Sequence, residues 1–434
     1  MPRPASAAGT PVRRRDCPWN DPEKASPSDC NRQCSADEVT AIPIVTCALG
    51  PDNAGPLLAR FLARRTSRLD AALYEVGGYY AFLFAHAARG GARTRVLLDA
   101  HGGANSTTAR LLDGGPVRCR VLRGDCGATA HWKLLIADDG LAVGSGNLIK
   151  RDAPRGPLPV TGRSAGLAPG TLRAGLPAGL EVGPVGTREW WVFISAASAM
   201  SADARSHFSR SWQESSPPPW IEHHPGRSGE RVGRRPALGP GRPPPIGAPH
   251  PRVAPLSVLV ASRRLLLAVG GGASRSLVGE AMSSGRRRVS VTVPYIHTRA
   301  PAVRELLTAL EGARRRGAHV RVLLGAPPDA VDAGELRRRA LDTRVMDPVR
   351  CTTGHAKGVV SDGRVVLGSA NWSEPGLGVN REASLLVDHA AAAGYYGGAF
   401  ERDWAVSLSL DQAGLVQEAP GYAQASPERP MFLE

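Results

Sequence analysis

The feature that most constrains the fold of this chain is an internal repeat. Two segments share the order His-x-Lys, Asp and Gly-Ser-x-Asn, with these members: His131, Lys133, Asp138, Gly144, Ser145 and Asn147, then His355, Lys357, Asp362, Gly368, Ser369 and Asn371. The spacing from His to Asn is the same in both, since 147 − 131 = 371 − 355 = 16. Self-similarity of this kind predicts two copies of one structural unit.

The similarity extends beyond the motifs on both sides. The matched pairs are Leu69 to Tyr74 with Val289 to Tyr295, Arg95 to Leu98 with Arg321 to Leu324, Thr187 to Glu189 with Asn380 to Glu382, and Phe208 to Trp212 with Phe400 to Trp404. Short β-prone runs alternate here with helix-like stretches. Each copy therefore reads as an α/β unit.

The repeat and the composition between its copies predict the domain boundaries. We expect a cysteine-containing lead at 1–50, a first half at 51–212, a Pro/Arg/Gly-rich linker at 213–255, a second half at 256–410 and a tail at 411–434. The first half also carries a Gly/Pro-rich insertion at 150–186 that the second lacks. Because it follows Asn147 closely, we expect a loop that overhangs the site and restricts substrates.

The motif residues suit chemistry on a phosphodiester. If a strand begins at each His, alternation places His and Lys on one face. An imidazole can attack phosphorus or transfer a proton near neutral pH, and an ammonium can neutralise phosphate oxygens. The hydroxyls of Ser145 and Ser369 and the amides of Asn147 and Asn371 add neutral donors for a phosphate.

One copy alone is chemically incomplete, because attack at phosphorus and protonation of the leaving oxygen occur on opposite sides of the phosphate. Two copies packed face to face would let His131 and His355 flank one phosphate held by Lys133 and Lys357. Glu189 and Glu382 occupy matching places and could each orient an imidazole. Asp138 and Asp362 are expected to be structural. No metal-ligand spacing accompanies the motifs, so we expect neither a metal nor a cofactor.

Both segments resemble the duplicated HKD motif of the phospholipase D superfamily, over about 51–212 and 256–410, and the chain looks most like a bacterial phospholipase D. The resemblance implies two α/β/α halves, each a mixed sheet flanked by helices, packed about a pseudo-two-fold axis with the active site between them. It also implies a phosphohistidine intermediate, with His131 as nucleophile and His355 as acid. Three departures from the family pattern are Gly146 in the first motif, Thr187 opposite Asn380, and a gap of five residues between Asp and Gly where six are common.

Three substrate classes are considered, and the first is the predicted one. Hydrolysis of a phospholipid headgroup ester, releasing phosphatidate and an alcohol, is favoured by the fused motifs and by the insertion. A nuclease acting on DNA or RNA is favoured by the charge of +15, although nucleases of this family are typically short single-motif chains. The third class is phosphatidyl transfer of the cardiolipin synthase type. The expected partner is thus a phospholipid or membrane surface, or else a nucleic acid, and the protein is expected to be a monomer without an obligate protein partner.

Cysteine usage bears on the cellular compartment. Two disulfides are expected within Cys17, Cys30, Cys34 and Cys47, in addition to the close pair Cys119 and Cys126. Disulfides favour a secreted or periplasmic location. The segment from Met1 to Asp16 shows no apolar stretch of a signal peptide, which favours the cytoplasm instead. No apolar run approaches the length of about 18 residues that a membrane-spanning helix needs, so a soluble protein is expected.

Overall fold

The computed structural model describes residues 41–122, 128–154, 187–219, 253–346 and 353–418. All of them belong to one compact unit, Thr40–Glu434. Most of the predicted insertion, the predicted linker and the tail lies outside the described residues, as do Cys17, Cys30, Cys34 and Cys126.

The first half contains strands and helices in alternation. Its strands are β1 (Ile44–Gly50), β2 (Arg68–Leu73), β3 (Arg93–Asp99), β4 (Arg118–Leu122), β5 (Lys133–Ile136), β6 (Leu141–Gly144) and β7 (Thr187–Ser195). Its helices are α1 (Ala54–Ala63), α2 (Gly78–Arg89), α3 (Asn105–Leu112) and α4 (Ser198–Glu214).

The second half repeats this order. Its strands are β8 (Leu256–Leu259), β9 (Leu265–Val269), β10 (Arg288–Val293), β11 (His319–Leu324), β12 (Asp342–Val345), β13 (Thr353–Gly354), β14 (Gly358–Ser361), β15 (Arg364–Gly368), β16 (Ala383–Asp388) and β17 (Leu408–Ser409). Its helices are α5 (Gly271–Ser284), α6 (Pro301–Arg315), α7 (Ala330–Arg338), α8 (Glu374–Leu377), α9 (Ala390–Ala405) and α10 (Leu410–Glu418), with a 3₁₀ turn at Ser262–Arg264.

The two sheets share one strand order, which confirms the predicted repeat. The first runs β4-β3-β2-β5-β6-β7-β1-β8, and the second runs β17-β12-β11-β10-β14-β15-β16-β9. The strands β2, β3 and β4 pair in parallel, as do β10, β11 and β12. The other neighbours along both paths are antiparallel. The predicted fold class, two α/β halves with mixed sheets, is therefore confirmed.

The core has three parts that define the layers. One apolar cluster lies between α1, α2 and the first sheet, and a second lies between α5, α6 and the second sheet. The third combines side chains of both halves, among them Leu134 and Val192 with Leu385 and Tyr396. The helices α4 and α9 cross this boundary, because α4 contacts β9 and α9 contacts β1. The two halves thus share one continuous apolar interface.

Two predicted boundaries differ from the observed elements. Residues Ile44–Gly50, placed in the lead, form β1 and pair with β7 inside the first sheet. Residues Leu256–Leu259, placed in the second half, form β8 and pair with β1 instead of with their own half. Both strands are short apolar runs, which are poor markers of the sheet to which they belong.

The cysteine prediction is wrong where the structure describes it. Cys47 is a free thiol on β1, and its neighbours are apolar side chains of the shared core. Burial raises the pKa of Cys47 to about 12. Cys119 is likewise free, on β4. Cys47 alternates with Val45 and Leu49 toward the core, so it serves as a small apolar residue.

Among the described residues, no helix combines the length and the apolarity needed to cross a bilayer.

Each motif aspartate accepts hydrogen bonds from the turn that leads into one strand, β2 for Asp138 and β10 for Asp362. Asp362 accepts hydrogen bonds from the backbone N–H groups of Arg286, Arg287 and Arg288, at 2.9, 3.1 and 2.9 Å. Asp138 accepts from the N–H of Ser67 at 2.6 Å and from the hydroxyl of Thr66 at 2.9 Å. Burial alone would raise the pKa of Asp362, but its backbone donors outweigh it and the pKa lies below the ordinary value.

Replacing Asp362 with Ala should lower the free energy of unfolding by about 1–3 kcal/mol, because three backbone donors lose a charged acceptor. Asp362→Asn should cost less, since an amide oxygen still accepts and Asn tolerates the left-handed φ of 48° found here. Urea denaturation at unchanged slope measures both changes. A loss of turnover at full stability would instead mean that Asp362 takes part in the chemistry.

Candidate active site

The two motifs meet where the halves join. The strands of the motifs begin at Lys133 and Gly358, after the histidines and not at them as predicted. Backbone hydrogen bonds hold the segments that lead into these strands. Before β14, β13 pairs in parallel with β7, and the N–H of His355 donates to the carbonyl of Arg188 at 3.0 Å. On the other side, the N–H of Arg381 donates to the carbonyl of Thr129 at 2.9 Å. Each motif is thus attached to the opposite half.

Each motif histidine is hydrogen-bonded to a glutamate of the other half. Nδ1 of His131 lies 3.1 Å from both carboxylate oxygens of Glu382, and Nδ1 of His355 lies 2.6 Å from Oε1 of Glu189. Both glutamates are fully buried. A carboxylate at Nδ1 selects the tautomer that carries its proton there, which leaves Nε2 free to attack or to exchange a proton.

The motif serines hold these glutamates in place. Ser145 donates to Oε2 of Glu189 and Ser369 donates to Oε2 of Glu382. The same hydroxyls accept backbone N–H groups, from Trp190 at 2.9 Å and from Ala383 at 3.0 Å. The serine protons therefore point at glutamates in this structure, which differs from the predicted use as phosphate donors.

The two motif lysines are buried beside the histidines. Nζ of Lys133 donates to the carbonyl of His131 at 2.9 Å, and Nζ of Lys357 donates to the carbonyls of His355 and Ser145 at 2.6 and 3.3 Å. Burial lowers the pKa of Lys133 to about 8 and that of Lys357 to about 7, against the opposing effects of Glu382 and Glu189. A bound phosphodiester anion would favour the charged form of both.

The contact of the motif asparagines with a phosphate stays a prediction. The Oδ1 atoms of Asn147 and Asn371 are both buried and lack a hydrogen-bond partner within the described ranges. Buried polar atoms are rarely left unpaired in a folded protein. The two Oδ1 atoms occupy equivalent places in the repeat, and a rotated amide could present its NH₂ group to a polar ligand there.

Burial controls the protonation of both imidazoles. Desolvation lowers the pKa of His131 and, more strongly, that of His355. Glu382 partly offsets this at His131, whereas the ammonium of Lys357 adds to it at His355. Both shifts favour the neutral ring near pH 7. A neutral imidazole suits a nucleophile, while a general acid has to gain a proton when substrate binds.

Gly146 has a steric function that explains the first departure from the family pattern. A Cβ at this position would lie 2.7 Å from Cγ and 2.8 Å from Cδ of Glu189. The second copy has Ala370 here, and that residue fits as a buried side chain. Only glycine therefore leaves room for the carboxylate that orients His355.

Sequence reasoning missed Tyr74, which directly follows β2. Its ring meets His131 edge-on at 5.1 Å between centroids, and Nζ of Lys133 lies 5.1 Å from the ring centre. The strand registers place Pro294 opposite Tyr74 in the second half, so this contact has no counterpart there. The repeat therefore gave no signal for Tyr74.

Asp152 was also missed. It is fully buried, and one of its oxygens lies with a Glu189 oxygen and a His355 nitrogen in a group whose members are all within 4.8 Å of one another. Three such ligand atoms could hold a cation. Here, however, His355 Nδ1 faces Glu189, and Asp152 accepts from the N–H of Asn147 at 3.1 Å and the hydroxyl of Thr187 at 2.9 Å. The group is therefore interpreted as a hydrogen-bonded cluster.

Comparisons with known proteins agree with this geometry. Residues 278–404 match the family model described as "Cardiolipin synthase, PLD-like domain". This segment of the second half is thus similar to a PLD-like domain, and the first half repeats the strand order of the second. No match was found among curated proteins.

One solved structure has the same fold over most of its length. Phosphatidylserine synthase from Haemophilus influenzae is 12% identical, with a TM-score of 0.54 over 86% of this chain and 90% of that chain. Nuc from Salmonella typhimurium, a phospholipase D family member, is 20% identical with a TM-score of 0.29, over 33% of this chain and 96% of that chain. The similarity to the synthase extends across both halves.

Replacing Gly146 with Ala should reduce turnover at least about 10²-fold, because the new methyl group displaces Glu189 from His355 and misplaces a catalytic group. The control is Gly77→Ala, whose Cβ would meet its nearest neighbour at an ordinary 3.6 Å. Steady-state kinetics and thermal melting of both variants separate loss of geometry from loss of fold. Full activity of Gly146→Ala would show that the Glu189–His355 contact is dispensable.

Proposed function

We propose that this protein transfers a phosphatidyl group from a phospholipid to an alcohol through a phosphohistidine, with water as a competing acceptor. The observation that carries the proposal is the pair of crosswise His–Glu contacts around two buried lysines. This set provides a nucleophile, a proton donor and two anion-neutralising groups in one place. The match of the second half to a cardiolipin synthase domain supports transfer over simple hydrolysis.

The proposed reaction has two balanced steps. Nε2 of His131 attacks phosphorus, the bond from phosphorus to the headgroup oxygen breaks, and that oxygen takes a proton from Nε2 of His355. The acceptor alcohol then attacks the phosphohistidine, its proton passes to His355, and the bond from phosphorus to His131 breaks. Lys133 and Lys357 neutralise the non-bridging oxygens in both steps. Glu189 and Glu382 orient the imidazoles and stabilise their positive charge.

Burial of the site supports transfer. Lys133 is fully buried, and the exposures of Lys357 and His131 are only 3% and 8%. A phosphohistidine in such a place is shielded from bulk water, so a bound alcohol can compete with a solvent present at far higher concentration. Headgroup hydrolysis remains the reaction expected when no acceptor is bound.

The test is a product assay with purified protein and EDTA. Phosphatidylglycerol vesicles are incubated with and without ethanol as the added acceptor alcohol, and single-stranded DNA is incubated in parallel. We expect a phosphatidyl product that contains the added alcohol, with phosphatidate as a minor product. Phosphatidate alone would establish hydrolysis, and cleavage of DNA alone would establish a nuclease. Activity that requires a divalent ion on all substrates would contradict the two-histidine mechanism.

The two histidines should respond differently to removal. His131→Ala should form no phosphoenzyme with any leaving group, because the nucleophile is lost. His355→Ala should lose about 10²- to 10⁴-fold on an alkyl phosphodiester. It should still become labelled by a p-nitrophenyl phosphodiester, whose leaving group needs no acid. The phosphodiester carries ³²P, so the radioactivity retained on the protein measures this difference. The acid lability of the label and peptide mapping then identify a phosphohistidine and its position. Labelling of His131→Ala but not of His355→Ala would reverse the roles.

A further inference from the structure

The two halves are nearly symmetric around the histidines, yet one has a carboxylate that the other lacks. Asp152 stands five residues after Asn147, and the residue five positions after Asn371 is Gly376, since 152 − 147 = 376 − 371 = 5. A Cβ on Gly376 would lie 2.4 Å from the carbonyl oxygen of Asn371. The second half therefore has no room for a side chain at the equivalent place.

A second difference between the halves lies at the matching positions Thr187 and Asn380. Asn380 donates from Nδ2 to Oε1 of Glu382 at 3.3 Å, which partly neutralises the carboxylate that faces His131. Its counterpart Thr187 donates to Asp152. On the His355 side a second carboxylate, that of Asp152, thus lies within 4.8 Å of the imidazole. The His131 side has a neutral donor at Glu382, and its own additional carboxylate, Asp99, accepts from the backbone N–H groups of Ala130 and His101, each at 2.7 Å.

We infer that Asp152 is a positioning residue that makes the two histidines inequivalent by favouring the proton on His355. This inference rests on the proposed function, in which His355 is the general acid. Asp152 is buried against Glu189 and anchors the backbone of Asn147, so its charge is held at a fixed distance from His355.

The charged and titratable groups around His355 set the sign of this effect. Glu189 and Asp152 favour the imidazolium, whereas Lys357, Lys133 and His131 oppose it. Arg151 donates from Nε to Oδ1 of Asp152 at 3.2 Å, but its side chain is about one-third exposed, so solvent screens its charge more than that of the buried carboxylate. Burial and Lys357 prevail, and the pKa of His355 lies well below its ordinary value. A bound phosphate anion offsets the two lysines, which leaves Asp152 as the charge that distinguishes His355 from His131.

The direct test is a titration of the imidazoles by NMR with ¹⁵N-labelled histidine, in saturating inorganic phosphate. The His355 signal is identified by its loss in His355→Gln. Asp152→Asn should move the midpoint of His355 about 1–2 pH units lower, because a carboxylate within about 4–6 Å is removed. The midpoint of His131 should move much less.

Several outcomes would overturn the inference. These are an unmoved His355 midpoint, an equal shift at His131, or a wild-type His355 that shows no titration between pH 5 and 9. If Asp152→Asn does not fold, Asp152→Ser serves instead, since its hydroxyl can accept from the N–H of Asn147. Asn380→Asp is the mirror variant: it puts a second carboxylate near Glu382 and should raise the midpoint of His131.

A kinetic readout separates this electrostatic effect from loss of structure. Asp152→Asn should slow turnover of an alkyl phosphodiester at least about 10-fold at pH 8 and leave a p-nitrophenyl phosphodiester nearly unchanged, because only the first leaving group needs the acid. Equal losses on both would assign Asp152 to structure alone. Because the NMR titration does not require turnover, a protein without phosphodiesterase activity would refute the proposed function while still testing Asp152.

Discussion

The site depends on hydrogen bonds that cross between the halves, from His131 to Glu382 and from His355 to Glu189. Neither half contains a complete His–Glu pair, so a separated half would have an imidazole without its orienting carboxylate. This requirement explains why further hydrogen bonds join the two halves beside the glutamates. Arg188, next to Glu189, bonds to Asp403 of the other half at 3.1 Å, and Arg381, next to Glu382, bonds to Ser211 at 3.0 Å. These ties and the shared apolar cluster keep the glutamates within reach of their histidines.

Burying the charged groups of this site costs free energy. Removing one partner of a buried ion pair commonly costs about 3–5 kcal/mol, because the remaining charge is left without compensation. Here each charge has compensating contacts: the glutamates accept from Ser145 and Ser369, and the ammonium groups donate to carbonyls of the motif backbones. The small residues have the same explanation. Glycine at 146 admits Glu189, and Gly358 admits the ring of Trp190, which a Cβ would meet at 2.3 Å. The chemistry of the site and the packing around it therefore both require glycine at these two positions.

The repeat made the fold and most of the site predictable from the sequence. Equal spacing identified the histidines, lysines and asparagines as equivalent pairs, and the matching flanking segments did the same for the glutamates. The structure brings the histidines and glutamates together. Equivalence does not reveal which half supplies the partner of a given side chain, so the crossing of Glu189 and Glu382 could not be predicted. Nor could the direction of the serine protons, because a hydroxyl next to both a carboxylate and a phosphate site suits either. Cys47 was misjudged since its spacing suggested a bridge, whereas burial on β1 decides its state.

A duplicated fold creates a chemical difficulty that only departures from symmetry resolve. Two identical environments would give two imidazoles of equal basicity, yet attack and protonation require one ring to be neutral while the other carries a proton. A dimer of identical chains can break this equivalence only when substrate binds. A fused chain can encode the difference permanently, because each copy mutates separately. Thr187 opposite Asn380 and Asp152 opposite Gly376 are differences of this kind, and both lie outside the His-x-Lys signature. In a repeat of this type the informative residues for mechanism are therefore the mismatches beside the motif.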